Sequence, residues 1–199
     1  MHRLSGFALL LSLLIPHAAS AQHAAETAAA SSTTAPAEAK QFDFLLGQWE
    51  LQVHPKVNSL AAMIHGAPKL GGTMKAWRVL DAIGIEDEMR IVDASANPIS
   101  LSRALRIYAK ADARWKVSGV DASRGRLSES SGQWQNGEMR LEGRSTDAEG
   151  KPVITRTRYF EISADSFRMQ QDRSSDNGET WEEAVLTIDA KRTATSASP

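Results

Sequence analysis

The chain has 199 residues, 42% of them apolar, with 13 Gly, 7 Pro, no Cys and a formal net charge of −1. That length suits one sizeable domain rather than two, and the apolar fraction excludes wholesale disorder. The balanced charge gives no electrostatic case for nucleic acid or an anionic membrane, and the missing Cys excludes disulfides, thiolate nucleophiles and Cys-based metal sites.

In chain order, residues 1–21 read as a secretory signal peptide. His2 and Arg3 give the positive start, Phe7 through Ile15 the apolar run, Pro16 the break, and Ala19-Ser20-Ala21 the small-x-small cleavage site. The apolar run is shorter than the roughly 20 residues that span a bilayer, so no membrane anchor is expected. The predicted address is the periplasm or the extracellular medium. Removing the signal leaves 22 basic against 24 acidic residues, a net charge of −2. Residues 22–40 hold eight Ala and six Ser, Thr or Pro, with no Gly or aromatic, and are expected to be a flexible linker. The folded domain is expected over 41–191 and an unstructured tail over 192–199.

The domain reads as a string of strands. Turn signals recur through Ala67-Pro68, Gly71-Gly72, residues 81–84, Asn97-Pro98, residues 110–113, residues 121–125, Asn136-Gly137, residues 147–152, residues 163–165 and Asp176-Asn177-Gly178. The intervals are too short for β-α-β crossovers and favour an antiparallel barrel or sandwich. Period-2 patterns support this. Trp49, Leu51 and Val53 share one face; so do Ile85, Asp87, Met89 and Ile91; Trp115 and Val117; Met139, Leu141 and Gly143; and Phe167, Met169 and Gln171. Helix is expected only as one turn over 41–46 and a short piece over 59–64. The latter lies in the longest connection, residues 54–70, of the kind that often carries a lid.

Phe42-Asp43-Phe44-Leu45-Leu46-Gly47-Gln48-Trp49 runs an apolar turn into Gly-x-Trp and a strand. It resembles the F-D-F-L-x-G-x-W opening of a bacterial lipocalin-like family, domain of unknown function family 1579. Ala104-Leu105-Arg106-Ile107-Tyr108 with Trp115, Gly150-Lys151-Pro152-Val153 with Arg156, and the segment from Ile162 to Trp181 resemble later motifs of that family in the same order. The resemblance implies an all-β, antiparallel, up-and-down calycin-like barrel of about ten strands with an internal cavity. It implies no activity. The run Ser174-x-Asp176-x-Gly178-x-Thr180-Trp181 also matches the Asp-box turn of sialidases; one copy in 199 residues reads as a hairpin, with Trp181 packed beneath it.

The cavity is expected to be lined by Trp49, Trp77, Trp115, Met169 and Gln171. Trp and Met suit an apolar or aromatic ligand. Arg106 and Tyr108 share one face, as do Arg156 and Arg158. An inward guanidinium needs a carboxylate or an anionic ligand, so Arg106, Tyr108 and Arg156 join the candidate ligand-binding set, with a solvent-facing orientation as the other reading. No metal site and no cofactor is expected. Haem barrels of the nitrobindin type ligate through a late His, and none follows His65.

The preferred function is non-catalytic binding of a small apolar or aromatic molecule, with or without a carboxylate. Two alternatives stand beside it. One is an enzyme at the barrel mouth with His54 or His65 as general base; the other is an envelope interaction module. The acids Glu86, Asp87 and Glu88 and the pair Glu182-Glu183 read as solvated edges, because neighbours on a strand point to opposite faces. Ligand identity and oligomeric state are not legible.

Overall fold

The computed structural model describes residues 35–57, 66–147 and 149–193. The signal segment, most of the expected linker, the short helix expected over 59–64, His65 and residues 194–199 of the expected tail lie outside the described residues; Arg192, expected in that tail, instead ends the last strand.

A 3-10 helix, η1 (Ala37–Leu45), precedes ten strands. These are β1 (Gly47–Pro55), β2 (Leu70–Val79), β3 (Gly84–Val92), β4 (Pro98–Ala109), β5 (Arg114–Asp121), β6 (Arg126–Gln135), β7 (Glu138–Thr146), β8 (Pro152–Phe160), β9 (Ser166–Ser174) and β10 (Glu182–Arg192). Each strand pairs antiparallel with the next, and β10 returns to β1, closing the barrel. The expected up-and-down architecture is therefore present.

The alternation read from the sequence sets the inward face. In β1, Trp49, Leu51 and Val53 are buried between exposed Gln48, Glu50 and Gln52. Residues directly opposite in an antiparallel ladder share a face. Trp115 of β5 opposes Gly132 of β6, which opposes Leu141 of β7, which opposes Thr157 of β8.

Two hairpin turns form where expected, with positive φ at Asn136 and Gly137 and at Asn177 and Gly178. Gly71-Gly72 is a correction: both residues lie inside β2 rather than in a turn. Gly72 serves close approach instead, because a Cβ there would stand 2.2 Å from the Arg90 carbonyl oxygen.

The helix η1 plugs one end. It begins at Ala37, ahead of the expected domain start, and buries Phe42 and Leu45 completely. Phe42 meets Trp115 edge-on at 4.8 Å and Tyr159 edge-on at 5.8 Å, while Phe44 packs on Phe167 at 5.5 Å. Nine residues is long for a 3-10 helix, and the barrel rim holds it in place. Trp49 Nε1 donates to the Leu45 carbonyl at 2.7 Å, and Trp115 Nε1 donates to Gln41 Oε1 at 3.0 Å. Arg78 donates to the Ala39 carbonyl and forms an ion pair with Asp43.

Candidate functional site

With η1 closing one end, the other end carries the mouth. There the inward face of β6 through β9 holds Ser128, Ser130, Ser145, Thr155, Thr157 and Gln171. With Leu127 and the charged Asp121, Arg126, Glu129 and Arg144 they line a cavity of about 230 Å3. Gln171 Nε2 donates to Thr157 Oγ1 at 3.3 Å. The facing strands β1, β2, β3 and β10 turn Leu51, Val53, Met74, Ile91 and Ile188 inward. The interior is thus apolar on one side and edged with hydroxyls and an amide on the other. Small residues make this room. At Gly143, between Ser130 and Thr155, a Cβ would lie 2.7 Å from the Ser130 Cβ.

One charged pair lies deep inside. Arg106 of β4 opposes Ile85 and Val117, and Asp87 of β3 opposes Ala76 and Ala104, so both point inward. Their side chains are 6% and 7% exposed and form an ion pair. The Arg106 guanidinium carbon is 5.3 Å from the centre of the Phe42 ring. Arg106 Nε and Nη1 and Asp87 Oδ2 are all buried, and among the described residues the ion pair is the contact that they make.

The expected site residues separate into three groups. Arg106, Tyr108, Trp49, Trp115 and Met169 face inward. Trp49 and Trp115 are fully buried, Tyr108 meets Trp115 edge-on at 5.7 Å, and Met169 joins the same core. They build the closed end and the core rather than the open cavity. Gln171 lines the cavity as expected.

Trp77 and Arg156 are corrections. Trp77 follows the inward residue Ala76 and falls on the outer face of β2, where Lys75 and Arg103 approach its ring at 6.0 and 5.7 Å. Arg156 opposes outward Glu142 and lies outside. Its guanidinium covers the Trp181 ring at 3.7 Å and meets Glu142 at 3.5 Å. Arg158, two residues on, is also outward and donates to Gln170. The inward set in β8 is Val153, Thr155, Thr157 and Tyr159, one residue out of phase with the arginines.

His54 lies on the outer face of β1, 56% exposed and 3.4 Å from Asp189. It does not face the cavity. The sequence reading missed the serines and threonines of the wall and the partner of Arg106. The signal was present: Ser128, Ser130 and Gly132 alternate in phase, as do Thr155, Thr157 and Tyr159.

The Asp-box segment is a tight turn outside the barrel. Asp176 Oδ1 accepts from Ser174 Oγ at 2.7 Å and from the Thr180 amide at 2.9 Å. Trp181 Nε1 donates to the Gly178 carbonyl at 3.1 Å. The Ser174 hydroxyl, then Thr180, hold the Asp176 carboxyl well below its ordinary range.

No family model and no curated protein matches the chain. Solved structures do. The chain is similar to an S-type phycobiliprotein lyase, CPES, from Guillardia theta, at 10% identity and TM-score 0.50, over 78% of this chain and 92% of that one. A redesigned β-barrel, mFAP0, solved bound to DFHBI, matches at 9% identity and TM-score 0.40, over 75% of this chain and 99% of that one. At this identity the likeness is one of fold, that of a closed antiparallel β-barrel.

Proposed function

We propose that this protein is an exported carrier or receptor that holds one small molecule in the mouth of its barrel, without catalysing a reaction on it. The observation that carries this reading is the cavity of about 230 Å3, walled by Ser128, Ser130, Ser145, Thr155, Thr157 and Gln171 and rimmed by Leu127 and the charged Asp121, Arg126, Glu129 and Arg144. Small barrels have an interior just wide enough for side chains or for one small ligand. Here glycine, serine and threonine occupy positions where larger residues would fill it. The hydroxyls and the amide of this wall suit the polar atoms of a ligand, and the apolar interior of Leu51, Val53, Met74, Ile91 and Ile188 supports a ligand that is apolar elsewhere.

The signal-like segment 1–21 supports export to the periplasm or the medium. Sequencing the mature amino terminus tests this, with Gln22 expected first. The Phe42-to-Trp49 opening and the motifs after it support membership of the lipocalin-like family 1579. The mouth-enzyme reading has less support, because His54 faces outward onto Asp189.

Native mass spectrometry of the exported full-length protein, together with titration of naphthalene followed by backbone amide NMR, tests the binding reading. A co-purified molecule, or shifts concentrated at Ser130, Thr155, Thr157 and Gln171, is expected. Absence of both sinks it.

A further inference from the structure

We infer that the outer wall of the barrel carries a second ligand site, for a tetrahedral oxyanion of the phosphate or sulfate ester type, between Arg114 and Arg140. It stands apart from the cavity at the mouth and does not rest on the reading given to that cavity.

The strand register assembles the site. On the outer face, Gln133 of β6 opposes Arg140 of β7, Arg140 opposes Arg158 of β8, and Arg158 opposes Gln170 of β9. Arg114 of β5 extends the row, since its neighbour Trp115 opposes Gly132, next to Gln133. Three guanidinium groups and two amides thus cross five strands without a carboxylate among them. Arg140 and Arg158 stand directly opposite each other, an arrangement of like charges that weakens a sheet.

A surface cavity of about 310 Å3 opens over this row. Four arginines line it, Arg114, Arg140, Arg156 and Arg158, against two carboxylates, Glu142 and Asp172. Both carboxylates directly oppose Arg156, whose guanidinium also covers Trp181. Glu138, beside the cavity, serves both Arg140 at 2.8 Å and Arg158 at 3.7 Å. One positive charge is left over, and the group without a carboxylate is Arg114. It is half-buried, and among the described residues its guanidinium has neither ion pair nor hydrogen bond. An arginine stays charged at any accessible pH, so an anion from outside completes the site.

Geometry selects the kind of anion. Arg114 and Arg140 leave the sheet two strand spacings apart, about 10 Å. Gln133 lies between them and lines the same cavity, so the two side chains flank one space. A carboxylate offers two oxygens in one plane, which suit a single guanidinium fork. A phosphate or sulfate ester directs its oxygens to several sides, so each arginine takes its own.

Phenyl phosphate, phenyl sulfate and benzoate, titrated into the full-length protein at constant ionic strength and followed by amide NMR, test the inference. Both esters are expected to bind saturably, with shifts concentrated at Arg114, Gln133 and Arg140, and benzoate at least about fivefold more weakly. Arg114→Gln, with Arg140→Gln as a second variant, is expected to weaken both esters at least about tenfold. Arg90→Gln, at an exposed arginine on the outer face of β3, is expected to leave them unchanged. Flotation with phosphatidylglycerol vesicles separates the sources. Vesicle binding that Arg114→Gln abolishes assigns the anion to a lipid headgroup; no vesicle binding, with the esters still bound, assigns it to a small molecule. No saturable binding of either ester, benzoate binding as tightly, or equal losses in Arg90→Gln and Arg114→Gln overturns the inference. Naphthalene binding at the mouth, expected unchanged in Arg114→Gln, is read separately, so failure here leaves that reading intact.

Discussion

The guanidinium of Arg192, the last residue of β10, lies 4.1 Å from the centre of the Trp49 ring on β1. It also donates through Nη1 to the Leu46 carbonyl at 2.6 Å and through Nε to the Ala164 carbonyl at 2.7 Å. One side chain thus ties the end of η1, the first strand, the last strand and the β8–β9 turn together. Replacing it with Met keeps much of the stem and removes these contacts. Arg192→Met is expected to lose about 1–3 kcal/mol, from one cation–π contact and two charge-assisted hydrogen bonds. Urea unfolding with an unchanged slope checks this.

Phe42 is the centre of the plug. It is fully buried against Trp115 and Tyr159 and also borders Arg106. Phe42→Ala is expected to cost about 3–5 kcal/mol, the range for truncating a large buried aromatic. Thermal unfolding by near-ultraviolet circular dichroism reads both the loss and the altered tryptophan environment.

Gly132 faces inward opposite Trp115, and a Cβ there would stand 1.8 Å from the Arg140 carbonyl oxygen. That neighbour is backbone, so β6 and β7 must part to admit a methyl group. Gly132→Ala is expected to destabilise by about 1–3 kcal/mol, as overpacking does. Faster exchange of the β6–β7 ladder amides than of the β2–β3 ladder would locate the damage.

The turn around Asp176 carries a pH dependence whose sign is fixed. Its carboxyl is held below the ordinary range by Ser174 and Thr180, so folding favours the ionised form. That contribution is fully present above the unfolded value, near about 4, and fades as pH falls through the lower folded value. Exchange of the Thr180 amide, corrected for its intrinsic pH dependence, is expected to quicken as the medium is acidified. In Asp176→Asn the exchange should be fast throughout and lack this acid step.

Occupying the cavity by mutation should mimic a ligand. Ser130→Leu places a larger group in the wall and is expected to weaken naphthalene binding by at least about tenfold, or about 1.4 kcal/mol. Trp77→Leu and Arg156→Gln, both on the outer face, are expected to leave it unchanged. Loss of binding in either outer variant would contradict the placement of the site.

The fold was legible because the apolar alternation is strict where it matters. Trp49, Leu51 and Val53, or Met139 and Leu141, announce an inward face without help from neighbours. The site was harder. Its wall is Ser, Thr and Gly, and those residues serve surfaces and interiors equally well, so hydropathy assigns them no side. Trp77 misled for the opposite reason: a large aromatic reads as interior, yet here it covers charged stems on the outer face. Arg106 was placed on one face with Tyr108, but its partner Asp87 sits on another strand. Only the β3–β4 pairing brings them together.

The first strand starts and the last strand ends side by side at the plugged end, where the Thr193 amide reaches the Gln48 carbonyl at 2.9 Å. The described residues therefore enter the barrel through η1 and leave it at Thr193 on the face opposite the mouth. A dye coupled at Thr193→Cys, in a chain that has no other Cys, therefore sits at the sealed base and leaves the cavity unmasked.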